Sequence, residues 1–234
     1  MGNENLNVPL AMNSVPIVAF DQRFAFPTPV TLLLKEKIFS FSGDDFKITD
    51  IYGNPYFLIK GKVWTMHQRK SFYDLYGAQI FNMKHEIFSL RGRYRFCIGE
   101  SDNVVVKIDP LSKITNRHFQ VTFVNKANGN NEILDLYCDL IGSRCAIFHG
   151  DANNGAPCIC KIYKEYDAKY FFAGKDNYSI QIAPNVDASL MLGLGAVFDE
   201  IKHDDKQSES WLIKFVYIFY LYLIKQNDNE LNIN

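Results

Sequence analysis

The chain has 234 residues, 47% hydrophobic and 22% charged, a balance that excludes a wholly disordered protein. Lys and Arg number 25 against 26 Asp and Glu, a formal net charge of -1, which argues against a domain whose main partner is a nucleic-acid backbone. Aromatic residues reach 15%, with 19 Phe and 13 Tyr, a usage that leans towards β structure.

Residues 1–29 read as an extended N-terminal arm. They hold Pro9, Pro16, Pro27 and Pro29, half of the eight prolines, and proline cannot donate to a sheet ladder. Val15 to Phe20 is the part expected to dock on the main body. No basic, apolar leader opens the chain. The five cysteines, Cys97, Cys138, Cys145, Cys158 and Cys160, are an odd set and a poor disulfide framework. A reduced, cytoplasmic protein is therefore expected. Cys158 and Cys160 would share one face of a strand, but no second ligand pair accompanies them, so buried thiols are expected and no metal.

From residue 31 short strands alternate with turn signals. They are expected over 31–38, 46–51, 56–60, 71–75, 78–83, 93–98, 104–108, 118–124, 132–137, 145–148, 157–163 and 178–182. Phe119, Val121 and Phe123 share one face, and Asn128-Gly129-Asn130-Asn131 is a strong hairpin signal. Asp50-Ile51-Tyr52-Gly53 is echoed by Asp74-Leu75-Tyr76-Gly77, which predicts two consecutive hairpins with the same turn chemistry. About a dozen short strands at this spacing suggest a closed barrel or a sandwich.

One helix is predicted, Ala188 to Ile201, with Asp187 as N-cap or first-turn acid. Its stretch from Leu190 to Phe198 has no polar residue, so it must be buried all round, and it is too short to cross a bilayer. Gly193 and Gly195 each cost about 1 kcal/mol in helix propensity and suit close approach to surrounding strands. Leu190, Gly193, Gly195 and Phe198 are thus structural residues of a helix threading a β shell, which exits at Asp199, Glu200 and Lys202.

Three pieces of the chain carry a family resemblance: Asp50-Ile51-Tyr52-Gly53-Asn54-Pro55 with its echo at Asp74, the stretch Ser89 to Lys107, and the Asp176-Asn177-Tyr178 strand followed by Pro184 to Ile201. In this order they resemble the LURP-one-related family of the tubby C-terminal-like superfamily, to which phospholipid scramblases also belong. The resemblance implies a mainly β fold, a closed, roughly twelve-stranded barrel around one central hydrophobic α-helix, over residues 30–202. Residues 203–234 exceed the family's usual end. Trp211 to Ile224 within them is apolar and aromatic, so packing on, or loose attachment to, the outside of the barrel is expected first, with shallow membrane contact and a stretch that is no part of the domain as the two alternatives.

Chemical motifs are sparse. Gly193-Leu194-Gly195 lies inside a helix rather than at a strand-to-helix turn, so it is packing and not a dinucleotide fingerprint. No phosphate loop and no Gly-x-Ser-x-Gly elbow occurs. No cofactor and no catalytic residue is expected. His149-Gly150-Asp151 reads as a solvated turn, with a hydrolase built on that loop as the minor alternative. The densest basic cluster is Arg91, Arg93 and Arg95, on alternate positions of one strand, with Lys60, Lys62, Arg69 and Lys70 on neighbouring hairpins. The superfamily resemblance implies a role at membranes. A non-enzymatic protein binding anionic phospholipid headgroups, or another protein, peripherally at the cytoplasmic membrane face is the expectation, with a scramblase-like membrane protein as its alternative.

Overall fold

The protein is described by a computed structural model over residues 8–35, 46–61, 70–86, 92–99, 103–111, 118–141, 143–164 and 177–202. Twelve strands are present: β1 (Val30–Lys35), β2 (Phe46–Asp50), β3 (Pro55–Gly61), β4 (Lys70–Tyr73), β5 (Gln79–Glu86), β6 (Arg93–Cys97), β7 (Val104–Pro110), β8 (His118–Val124), β9 (Asn131–Asp139), β10 (Arg144–His149), β11 (Cys158–Lys164) and β12 (Asn177–Ile182). Each pairs antiparallel with its sequence neighbours, and β1 pairs with β12, so the sheet closes into a barrel with no free edge. Every predicted strand is present, and of the two architectures suggested by strand spacing the barrel is the one formed.

Alternation decides what fills it. Ile48, Phe57, Ile59, Phe72, Phe81 and Phe96 point inwards from β2 to β6, each at most 1% exposed. The helix α1, residues 188–202, runs through this interior, and Glu200 is its one residue that is not buried. The two glycines of α1 make the fit. A Cβ at Gly193 would lie 2.8 Å from Phe81 Cζ and 2.8 Å from Phe96 Cε2; at Gly195 it would lie 2.8 Å from Ile180 Cδ1. The close approach is to ring edges rather than to strand backbone. Those rings belong to a stack: Phe72 on Phe81 at 4.3 Å, Phe81 on Phe96 at 4.8 Å, and Phe20 on Phe81 at 4.4 Å.

Phe20 comes from the arm. Ile17, Phe20 and Phe24 belong to the same core as α1 and the strands, so this part of the arm plugs the barrel end at which α1 begins. Proline prevents a ladder here, and other groups satisfy the backbone. The Val18 N–H donates to Asn125 Oδ1 at 3.1 Å, the Ala19 and Phe20 N–H groups donate to Asp187 Oδ2 at 3.2 and 2.9 Å, and Lys126 N–H donates to the Val18 carbonyl at 2.8 Å. Asp187 also caps α1: its Oδ1 accepts from Ser189 N–H at 3.0 Å and from Ser189 Oγ at 2.5 Å. Burial raises the Asp187 carboxyl above its ordinary range, although these hydrogen bonds pull it back.

The two echoed turns are the same structure. Asp50 Oδ1 accepts from Tyr52 and Asn54 N–H at 2.8 and 2.9 Å, and Asp74 Oδ1 from Tyr76 and Ala78 N–H at 3.0 and 2.9 Å. Gly53 and Gly77 have φ of 84° and 83°, which an L side chain rarely adopts.

Two expectations change. Cys158 and Cys160 do not share a face. The register of β10 with β11 shifts between Ile147 and Phe148, pairing with Cys160 and Cys158. This bulge directs Ile159 and Cys160 into the barrel and Cys158 into an outer cluster with Ala146, Phe148 and Ala152. Second, α1 does not leave the shell at Asp199. Asp199 and Lys202 are both buried, and the Lys202 ammonium donates to Ser143 Oγ at 2.5 Å and to the Tyr178 hydroxyl at 3.0 Å. The five cysteines are all buried free thiols. Burial pushes Cys145 and Cys160 well above the usual thiol range, which keeps them protonated and poorly nucleophilic.

Candidate functional site

The predicted basic face resolves into two environments. Phe81, Met83 and Phe96 point into the barrel, so Lys84 and Arg95 point out. Register places Lys84 opposite Arg95 and Arg95 opposite Lys107, a row of three cations across β5, β6 and β7. Within that row Arg95 is largely spent. Its side chain is 11% exposed and donates to the Tyr94 and Ile108 carbonyls at 2.8 and 3.1 Å and to Asp109 Oδ1 at 2.8 Å, with Glu86 Oε1 3.4 Å from its Nε. Arg93 is more open, 45% exposed, and its Nε lies 3.4 Å from Asp109 Oδ1. Lys107 is exposed. Arg95, at the centre of the row, is therefore paired on several sides, while Lys107 at one edge is exposed.

The second group separates further. Lys60 points outwards, its ammonium 4.8 Å from the Tyr73 ring centroid. Lys70 is in phase with Phe72 and turns towards the barrel interior, where it pairs with Glu200 of α1. It anchors the helix and is not part of an outer surface. Arg91, Lys62 and Arg69 lie outside the described residues, as does the 203–234 tail. Among the described residues no helix is long and apolar enough to cross a membrane, and no group of three or more His, Cys, Asp or Glu is placed to hold a metal ion.

A second site lies where the arm meets the 125–131 turn. His149 ends β10, and its Nε2 is 2.6 Å from Glu132 Oε2 on β9. An ionised carboxylate only accepts, so Nε2 carries the proton of this bond, and Nδ1 is an acceptor in the neutral ring and a donor in the imidazolium. The Asn125 amide donates to Glu132 Oε1 at 2.9 Å and to the Pro16 carbonyl at 2.9 Å. These groups line a cavity of about 540 Å³ together with the apolar Val15, Pro16 and Ile17. The expectation of a solvated turn at His149 is thus replaced by a partnered imidazole: its side chain is 33% exposed and that of Glu132 12%. Sequence reasoning missed Glu132 because 17 residues separate the pair, and only the β9–β10 register brings them together.

The comparisons with known proteins agree with the fold. The family model described as LURP-one-related matches residues 30–199. Protein LURP-one-related 15 of Arabidopsis thaliana is 22% identical over 195 residues, covering 81% of this chain and 88% of that protein. Protein LURP-one-related 10 of the same organism is 22% identical over 191 residues, covering 79% and 96%. An X-ray structure of an Arabidopsis thaliana protein superposes with a TM-score of 0.57 at 18% identity, over 79% of this chain and 98% of that one. That likeness carries the fold alone.

Proposed function

The chain belongs to the LURP-one-related family, and from that premise we propose that it is a non-enzymatic barrel protein that binds anionic phospholipid headgroups peripherally at the cytoplasmic face of a membrane. The observation that carries the reading is the row Lys84–Arg95–Lys107 with Arg93 beside it on the outer wall. Asp109 and Glu86 fix Arg95, so attraction to a surface is assigned chiefly to the exposed Lys107 and Arg93. Each basic residue close to an anionic leaflet contributes about 1 kcal/mol, and the attraction fades within a Debye length.

The test is flotation with vesicles of phosphatidylcholine and phosphatidylserine at two salt concentrations. Binding falls with salt, and the Arg93→Gln/Lys107→Gln variant loses about 30-fold in partition coefficient, the equivalent of about 2 kcal/mol. Salt-independent binding, or no loss in that variant, refutes the reading. Arg95 is left intact because its hydrogen bonds to two carbonyls belong to the wall.

The His149–Glu132 pair favours a second reading, a hydrolase in which His149 Nδ1 takes a proton from water. Among the described residues no Ser, Thr or Cys lines the cavity, so this reading assigns no covalent intermediate on a hydroxyl or thiol. Equal rates of p-nitrophenyl acetate hydrolysis by the protein and its His149→Ala variant dispose of it.

A further inference from the structure

We propose that the cavity between the arm and the 125–131 turn is a binding site for a neutral, polyhydroxylated ligand of the carbohydrate class. Its volume, about 540 Å³, falls in the range of roughly 300–1,000 Å³ typical of small-molecule sites. The lining decides the chemistry by elimination. Among the described residues no Lys or Arg lines the cavity and Glu132 does, which disfavours an anion there. Each Glu132 oxygen already accepts one hydrogen bond, from the Asn125 amide and from His149, so the carboxylate is held in place by the protein's own donors. A wholly apolar ligand would strip water from the asparagine amides without replacing their hydrogen bonds.

What remains unspent is neutral and two-sided. The hairpin uses Asn125 Oδ1, which accepts from Val18 and Ala127 N–H, and Asn128 Oδ1, which accepts from Asn130 N–H at 2.9 Å. It does not use the side-chain amides of Asn130 and Asn131, which make no hydrogen bond among the described residues. Each offers one acceptor and two donors side by side, and the second ring nitrogen of His149 adds a further polar atom. Adjacent hydroxyls on a sugar ring both donate and accept, so they match such amides two at a time. Val15, Pro16 and Ile17 line the same cavity and offer apolar surface to the C–H face of the same ring. The inference is independent of the membrane reading, because this lining lacks the cations on which that reading stands.

The experiment is a titration of the isotope-labelled full-length chain with maltose, cellobiose and trehalose up to about 50 mM, a range that captures millimolar dissociation constants. Inorganic phosphate is a separate arm. At least one disaccharide is expected to shift the backbone amides of residues 128–132 and 149 and the side-chain amides of Asn130 and Asn131. The Asn130→Ala/Asn131→Ala variant, altered only at exposed positions, is expected to melt unchanged and to bind about 10-fold more weakly. Three results overturn the proposal: no localised shift with any of the disaccharides, localised shifts with phosphate in their place, or unchanged sugar affinity in the variant.

Discussion

At its N-terminal end α1 is held by a carboxylate surrounded by neutral donors; at its C-terminal end it is held by lysines. Asp187 takes the Ala19, Phe20, Ser189 and Leu190 N–H groups and the Ser189 hydroxyl. Glu200 pairs with Lys70, and Lys202 donates to Ser143 and Tyr178. Asp187 suits the helix dipole at the start, whereas the last turn carries Asp199 and Glu200 against it, with Lys202 in the same turn and Lys70 paired to Glu200. The two ends differ in what depends on them. Two of the Asp187 bonds reach 168 and 167 residues back along the chain, so one side chain both starts the helix and fastens the plug. The lysines bind hydroxyls and a carboxylate at the barrel's other end, and hydroxyls can reorient when a partner is lost.

The largest expected loss therefore falls at the first end. Asp187→Asn keeps the shape but turns an NH2 group towards donors that need an acceptor. It is expected to cost about 2–4 kcal/mol, measured by urea unfolding. The same variant tests the titration. Because burial raises the folded-state value of Asp187 above 3.8, the folded chain binds this proton more readily than the unfolded one. Its contribution to stability grows as pH falls from above the folded value towards the ordinary one, and is least at neutral pH. That slope is absent in Asp187→Asn. Asp50 works in the opposite sense. Burial alone would raise it, but hydrogen bonds from Asn54, Tyr52 and Gly53 outweigh that and hold it below 3.8, so its contribution is lost as pH falls through the folded value.

The middle of the helix comes next. Gly193→Ala drives a methyl into two rings locked in a stack and is expected to destabilise by about 1–3 kcal/mol, net of its gain in helix propensity. Gly195→Ala meets the flexible tip of Ile180, which can turn aside, and is expected to change the melting temperature by less than half as much. Equal effects at the two glycines would show that the ring stack yields as readily as an isoleucine. At the C-terminal end Lys202→Met removes a buried charge together with its bonds and is expected to cost about 1 kcal/mol. A loss as large as that of Asp187→Asn would erase the distinction between the ends. Smallest of all, deletion of residues 204–234 is expected to leave a folded barrel with an unchanged melting temperature, checked by circular dichroism.

The strands and the helix were legible because each is a local pattern: alternation such as Phe119-Val121-Phe123, turn signals such as Asp50-Ile51-Tyr52-Gly53, and one apolar run. Where partners lie far apart in sequence, legibility ended. Nothing local marks the bulge that separates Cys158 from Cys160, or the register that joins Glu132 to His149. The basic cluster shows both cases. Lys70 is two residues from Phe72, so its inward direction was readable from strand parity, whereas the burial of Arg95 depends on Asp109 arriving from the next strand.

The β1–β12 seam, with Val30 opposite Ile182, has a consequence for how the protein comes into being. During synthesis β1 emerges first among the strands and its partner β12 last, and α1 follows only after that. Before β12 emerges eleven strands form an open, curling sheet, and until α1 follows its inner face carries Phe57, Phe72, Phe81 and Phe96 without the helix that covers them. Contacts this distant in sequence form slowly, on the order of milliseconds to seconds, and exposed edges and rings invite aggregation meanwhile. A ribosome stalled before residue 188 therefore displays the most adhesive surface this chain possesses.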